Sequence, residues 1–265
     1  MSTPIVGAII RPQLPPEKYL PAARAAAEAG LAELWLWEDC FAESGLAPAA
    51  AILGATERMR VGIGVMPFPL RAVALAAMEV ATLERMFPGR LIPGFGHGVQ
   101  GWMAQAGVRA ASPLGLEREY VTALRALLAG DEVTTAGDYV RLDRVRLEWP
   151  PATVPGIHLA ATGPKSLRVS GEVGDGTVLV SDTAPDAFAA IRDTVLEGRR
   201  AAGRAGDHVF TVFAAPATPT PEGVAATIAE WASVGADRVV LEPAADDADA
   251  VAFVRAVAEG VRRVA

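Results

Sequence analysis

Residues 91–102, LIPGFGHGVQGW in one-letter code, run from a short apolar stretch into four glycines that surround His97, one of three histidines in the chain. Glycine has no Cβ, so backbone and an ionisable ring can approach a ligand closely there. Imidazole titrates near neutrality, which makes His97 a candidate for proton transfer, the alternative being a histidine that only bonds its own loop. A second pair, Glu38 and Asp39, follows the apolar run 33–37. Adjacent residues of an extended chain point to opposite sides, so only one of these carboxylates can aim into a given pocket, and a solvated rim pair is the plainer alternative. The third feature is TGPKS at 162–166. Pro164 suits a first helical position and Gly163 lets backbone approach a ligand, so amides and the positive end of the helix dipole would receive an anion. Lys165 could add a full charge, and an ordinary strand-to-helix turn would leave the same trace. Trp102 could wall a cofactor or simply pack its loop.

Other chemistries find less support. His97, His158 and His208 share no metal-ligand spacing, so no metal is expected. The run GFGHG is not a dinucleotide fingerprint, because its third glycine falls one position early.

These residues need a scaffold that brings several strand ends together. Apolar, β-branched runs at 5–10, 33–37, 60–65 and from 91 alternate with helical segments at 16–29, in the alanine-rich stretch after residue 37, and at 71–86. Strands resume near 156–161, 176–181, 209–214 and 238–241. Between and after them, amphipathic spacing appears at Phe188, Ile191 and Val195, at Val224, Ile228 and Trp231, and at Val254, Val257 and Val261. Repeated strand-helix units predict a parallel sheet, and eight of them predict a (βα)8 TIM barrel. After the helix carrying Tyr120, Leu124, Leu127 and Leu128, residues 132–142 alternate and turn at 136–138. This predicts a β-hairpin inserted between the fourth helix and the fifth barrel strand. No linker separates domains, so residues 1–265 are expected to form a single unit. In such a barrel the active site is built from the C-terminal strand ends, where all three chemical features fall.

Composition bounds the function classes. The 265 residues are 51% hydrophobic and carry a net charge of −7, which supplies a large core and no concentrated positive field for nucleic acid. No run of about 18 uncharged apolar residues exists, so no membrane span is expected. The N-terminus lacks a secretory pattern and Cys40 is the single cysteine, which together lead us to expect a protein of the reducing cytoplasm.

Four segments then carry a resemblance that spreads over about residues 1–185: LWLWED at 34–39; ATERMRVGIGV at 55–65; AMEVATL at 77–83 with FPGR at 87–90 and GFGHG at 94–98; and ATGPKSL at 161–167 with GEVGDG at 171–176. In order and spacing the chain resembles the luciferase-like flavin- and deazaflavin-dependent oxidoreductases. The last segment looks most like members that use the deazaflavin coenzyme F420 rather than FMN. The resemblance implies that Ala161, Thr162, Gly163, Pro164 and Lys165 lie at the cofactor phosphate, and that a cis peptide Gly64–Val65 presses on the tricyclic ring. It also implies that Gly96 and Gln100 contact the cofactor and that Glu38 meets the ring's polar edge. Asp39 and His97 would face the substrate or the hydride-bearing carbon, and Trp37 and Trp102 would wall the substrate pocket. Asp39 stands where many relatives have histidine, His97 where some have glutamate, and Arg71, Ala72 and Val73 where a different arginine turn is usual. The implied activity is hydride transfer between F420 and a small organic substrate. An FMN-dependent monooxygenase or a non-catalytic cofactor-binding barrel are the alternatives, and a homodimer through the helices near the second and third strands is the implied assembly.

Overall fold

The computed structural model describes residues 3–180, 182–244 and 249–264. Its elements are β1 (Ile5–Ile9), α1 (Tyr19–Glu28), β2 (Glu33–Leu36), α2 (Leu46–Ala55), β3 (Arg60–Pro67), α3 (Val73–Met86), β4 (Leu91–Gly96), α4 (Gln100–Gln105), α5 (Pro113–Leu128), β5 (Val133–Ala136), β6 (Arg141–Val145), β7 (His158–Ala160), α6 (Pro164–Val173), β8 (Gly176–Leu179), α7 (Phe188–Ala201), β9 (Val209–Ala214), α8 (Pro221–Val234), β10 (Arg238–Leu241) and α9 (Ala250–Val264). Eight parallel strands close in the order β1-β10-β9-β8-β7-β4-β3-β2, which is the expected (βα)8 barrel. β5 and β6 pair antiparallel outside it as the inserted hairpin. The hairpin tip is fixed to α5 by Glu119, whose carboxylate accepts the amides of Asp138, Tyr139 and Val140 at 3.1, 2.8 and 2.9 Å.

Strands of a closed parallel barrel are buried on both faces, so their sequences read as continuous apolar runs. The period of two still decides which side chains fill the interior. Glu33 and Trp35 of β2 point inward, as do Thr211 and Phe213 of β9 and Arg238 and Val240 of β10. Near the N-terminal end of the barrel, Glu33 is fully buried and accepts hydrogen bonds from Trp35 Nε1 at 3.0 Å and Arg60 Nη1 at 3.0 Å, with Arg238 Nε 2.8 Å away. Above this polar layer Ile9, Trp35, Ile92, Val178, Phe213 and Val240 form the interior core. Trp37 and Val65 pack on it from the mouth side. A larger core, including Leu34, Leu36, Ile52, Val80 and Leu124, lies between the strands and the helices.

Two local details depart from expectation. Residues 100–105, expected as loop, form α4, whose single buried side chain is Met103, so the segment has no apolar periodicity to read. β7 spans three residues rather than six, because only His158–Ala160 find ladder partners in β4 and β8. Ser181, expected to end the sixth barrel strand, lies outside the described residues. No described helix is long and apolar enough to cross a membrane.

Candidate active site

A cavity of about 480 Å³ opens at the C-terminal ends of the barrel strands. Its wall draws on seven of the eight: Trp37, Glu38 and Asp39 follow β2; Gly64, Val65 and Pro67 come from β3; Gly96 through Gln100 and Trp102 follow β4; and Ala160, Ala161 and Thr162 follow β7. Val180, Phe213 and Glu242 complete it from β8, β9 and β10. The sequence pointed to residues of the second, third, fourth and fifth barrel strands and did not single out Val180, Phe213 or Glu242. Period-two counting from the interior residues Val178, Thr211 and Val240 would have found all three.

The Gly64–Val65 peptide is cis, at the position the resemblance implied. Around it the β3–β4 register shifts between the pairs Ile63↔Pro93 and Met66↔Phe95, so β3 carries an extra residue. Such a bulge bends a strand and re-aims a side chain. Here Val65 projects over β4, where a Cβ on Gly96 would come within 2.9 Å of Val65 Cγ2 and one on Gly94 within 3.1 Å of Val65 Cγ1. The missing side chain of Gly96 therefore makes room for Val65, which forms a shelf at the cavity floor, whereas a side chain on Gly94 would first meet the Ile63 carbonyl. Gly98 adopts φ 69°, and a Cβ there would crowd the Met103 sulfur at 2.9 Å.

His97 is half-buried, and its Nδ1 lies 2.9 Å from the carbonyl of Gly98. A carbonyl only accepts, so Nδ1 donates and Nε2 keeps the lone pair of the neutral ring. Gln100 Nε2 donates to the carbonyls of His97 and Gly98 at 3.2 and 3.3 Å, which holds the loop and commits the donor end of this amide to the protein.

The two carboxylates have different surroundings. Glu38 is buried and receives both Nη1 and Nη2 of Arg71 at 2.9 and 3.0 Å, and its Oε2 also accepts Gly45 N–H at 2.8 Å. Such a two-pronged guanidinium bond fixes the carboxylate plane. Asp39 is more open and accepts a hydrogen bond from Gln13 Nε2 at 3.2 Å. Arg71 is anchored in turn, with its Nε 3.4 Å from Glu79 and its carbonyl accepting Tyr120 OH at 3.2 Å. Trp37 stacks on Phe213 at 6.5 Å between centroids and 25° between planes, and the Arg11 guanidinium carbon lies 5.6 Å from its ring centroid.

At the start of α6, Ala161 and Thr162 line the cavity, whereas Gly163, Pro164 and Lys165 continue the chain beyond its wall. Ser166 Oγ accepts the amides of Thr162 and Gly163 at 3.3 and 3.1 Å and donates to the Gly163 carbonyl at 2.9 Å. The first helical bond runs from Leu167 N–H to that carbonyl, so the amides of Lys165, which is exposed, and Ser166, which is buried, precede the helical ladder.

Of the other histidines, His158 lies in the lower part of the barrel. Burial, and then the Arg238 cation, lower its pKa to about 3. His208 accepts or donates a bond with Thr177 Oγ1 at 2.8 Å, and burial followed by Arg199 lowers its pKa to about 4. Both are neutral and remote from the mouth. Among the described residues no three of His, Cys, Asp and Glu gather as metal ligands.

A profile described as "Luciferase-like monooxygenase" matches residues 5–260. The chain belongs to the luciferase-like monooxygenase family. Within the luciferase-like proteins it is 29% identical over 182 residues to 5,10-methylenetetrahydromethanopterin reductase of Methanolobus tindarius, covering 69% of this chain and 55% of that protein. It is 30% identical over 189 residues to F420-dependent glucose-6-phosphate dehydrogenase of Nakamurella multipartita, covering 68% of this chain and 54% of that one. The chain thus spans about half the length of the curated relatives it matches. Among solved structures, the coenzyme F420-dependent tetrahydromethanopterin reductase of Methanopyrus kandleri superposes with a TM-score of 0.83 at 16% identity, covering all of both chains. At that identity the likeness shows the barrel fold alone.

Proposed function

We propose that this protein is an F420-dependent oxidoreductase that exchanges a hydride with a small organic substrate. The observation that carries this reading is the shelf of Val65 at the cis Gly64–Val65 bond, facing a strand-end cavity beside the start of α6. The printed names of the two relatives, a reductase and an F420-dependent dehydrogenase, support it. The residues present fit the cofactor. The floor left by Gly96 and Val65 would support the ring, and Ala161, Thr162 and Gly163 would lead its phosphate to the start of α6, with Lys165 adding charge at the rim. Bound deazaflavin supplies a ring carbon that accepts or releases hydride and does not readily form an oxygen adduct. Glu38, held by Arg71, offers a fixed negative edge rather than a mobile acid. His97 takes or gives the proton at Nε2, Asp39 stands beside the same opening, and Trp37 and Trp102 exclude water from the substrate side.

FMN-dependent monooxygenation makes an opposite forecast about oxygen. With reduced FMN, the purified protein should consume oxygen no faster than free reduced FMN does. Faster consumption in the presence of the protein would contradict the deazaflavin assignment.

We further place the protein in the cytoplasm, where its single half-buried Cys40 stays reduced, and propose that it is a homodimer. α2 has no polar side chain at all, and neighbouring α3 exposes Leu75, Met78 and Met86 at 46%, 57% and 64%. Exposed apolar helix faces of this kind mark contact surfaces, and a self-complementary patch closes as a two-fold pair.

A further inference from the structure

A second cavity, of about 470 Å³, lies where the start of α3, the α4–α5 connection and the inserted hairpin meet. It shares no wall residue with the candidate active site, and its charge is the reverse. The active-site wall holds three carboxylates and, among the described residues, no lysine or arginine; the second wall holds Arg71, Arg109 and Arg141 and no acid. These three cations differ in what they already bind. Arg71 is committed to Glu38 and Glu79. Arg109 is exposed and has no hydrogen-bond or ion-pair partner among the described residues. Arg141 gives Nε to the Gly137 carbonyl at 3.2 Å and keeps both Nη groups. The acid that feels Arg141, Glu119, lies outside the wall and spends its oxygens on three hairpin amides.

Neutral groups add donors. Tyr139 OH accepts Ser112 N–H at 2.6 Å, and its own proton has no acceptor among the described residues. Val73 and Ala74 also line the cavity; their amides precede the first bond of α3, from Ala76 N–H to the Ala72 carbonyl, and Ala72 has no side chain to cap them. Between these groups the wall is apolar, with Phe68, Val108, Leu116 and Leu142. Guanidinium forks match carboxylate and phosphate oxygens, and the volume is that of a small-molecule site. A cationic ligand would meet like charge, and a neutral one would leave the arginines uncompensated.

We infer that this cavity binds a small organic anion, its carboxylate or phosphate head held by Arg109 and Arg141 and its apolar body lying against Leu116 and Leu142. The site is separate from hydride transfer and needs no F420. It gives the insertion a task, since Tyr139, Val140, Arg141 and Leu142 of the hairpin form one side of the wall.

Isothermal titration of the purified protein with phenyl phosphate, benzoate, benzyl alcohol and benzylamine tests this. Expected is 1:1 binding of at least one anion with a Kd at least about tenfold below those of the alcohol and the amine, the worth of hydrogen bonds to a charged group. Binding of neither anion, or equal or tighter binding of the alcohol or the amine, overturns the inference. Arg109→Gln combined with Arg141→Gln should weaken the anion by a similar factor, and each single variant at least threefold. Both side chains are exposed, so the circular-dichroism signal should be unchanged; should the double variant lose it, the single variants decide. Trp102→Ala, in the other cavity, should leave the anion's Kd within twofold. Full affinity in the arginine variants, or its loss in Trp102→Ala, places the anion elsewhere and overturns the inference.

Discussion

His97 is set for one proton by the bond its other nitrogen makes. With Nδ1–H given to the Gly98 carbonyl at 2.9 Å, only Nε2 can accept. Replacing His97 by Ala should lower kcat by about 10²–10⁴-fold, the range for loss of a positioned acid or base, with cofactor affinity nearly unchanged. Stopped-flow reduction of the bound cofactor beside a binding titration would check both. Arg71 plays a different part, since it touches Glu38 rather than the open cavity. Arg71→Ala strands a buried carboxylate, and breaking such a pair costs about 3–5 kcal/mol, to be read as a fall in the urea midpoint. Glu38→Gln removes the charge and should soften that loss in the double variant. The pairing was illegible in the sequence, where Arg71 is merely one residue in an altered turn and Glu38 one of two adjacent acids. It needs the second and third βα loops to be brought together in space.

At the scale of elements, the β3 bulge and Gly96 of β4 are one device. Gly96→Ala would place a methyl 2.9 Å from Val65 Cγ2, displacing the shelf and weakening F420 binding at least tenfold, while adding Val65→Ala should restore room and recover part of the affinity. A cofactor Kd for the two single variants and the double measures this coupling directly. The sequence marked Gly96 as a cofactor contact; the structure adds that its missing side chain leaves room for Val65 of the adjacent strand. The strand-helix rhythm was legible because each element is a long apolar run or an amphipathic stripe. α4 was not, since a six-residue helix with one buried side chain leaves no period. α5 carries a further feature that sequence alone did not mark. Glu117 is fully buried, neither oxygen has a hydrogen-bond partner among the described residues, and burial, with Arg118 opposing, raises its pKa to about 8. The folded chain therefore holds a proton that the unfolded chain loses above its ordinary carboxyl pKa, so stability falls as pH rises toward 8, by about 1.4 kcal/mol per pH unit. Glu117→Gln should remove the fall above pH 6.5, seen in urea melts at pH 6.5, 7 and 8.

For the whole molecule the same linkage has an opposite arm. His158 and His208, lowered to about 3 and 4, stay neutral in the fold while the unfolded chain takes up protons below about pH 6.5. Stability from these two is full above that pH and is lost as pH falls toward 3. Two histidines outweigh one glutamate on the acid side, so the contribution of these three groups is greatest near pH 6.5. The apolar face of α2 and α3 predicts a dimer by light scattering, and Met78→Glu should yield monomer without loss of the barrel's circular-dichroism signal. Barrel closure itself was readable from the sequence because eight βα units permit few other arrangements. The wall residues from β8 to β10 were not singled out, since Val180, Phe213 and Glu242 look ordinary until closure turns them toward His97. The most direct measurement is a paired equilibrium titration of the purified protein with F420 and with FMN. Binding of F420 with a micromolar or lower Kd and of FMN at least tenfold more weakly is the predicted result; tight FMN binding with no binding of F420 would contradict it.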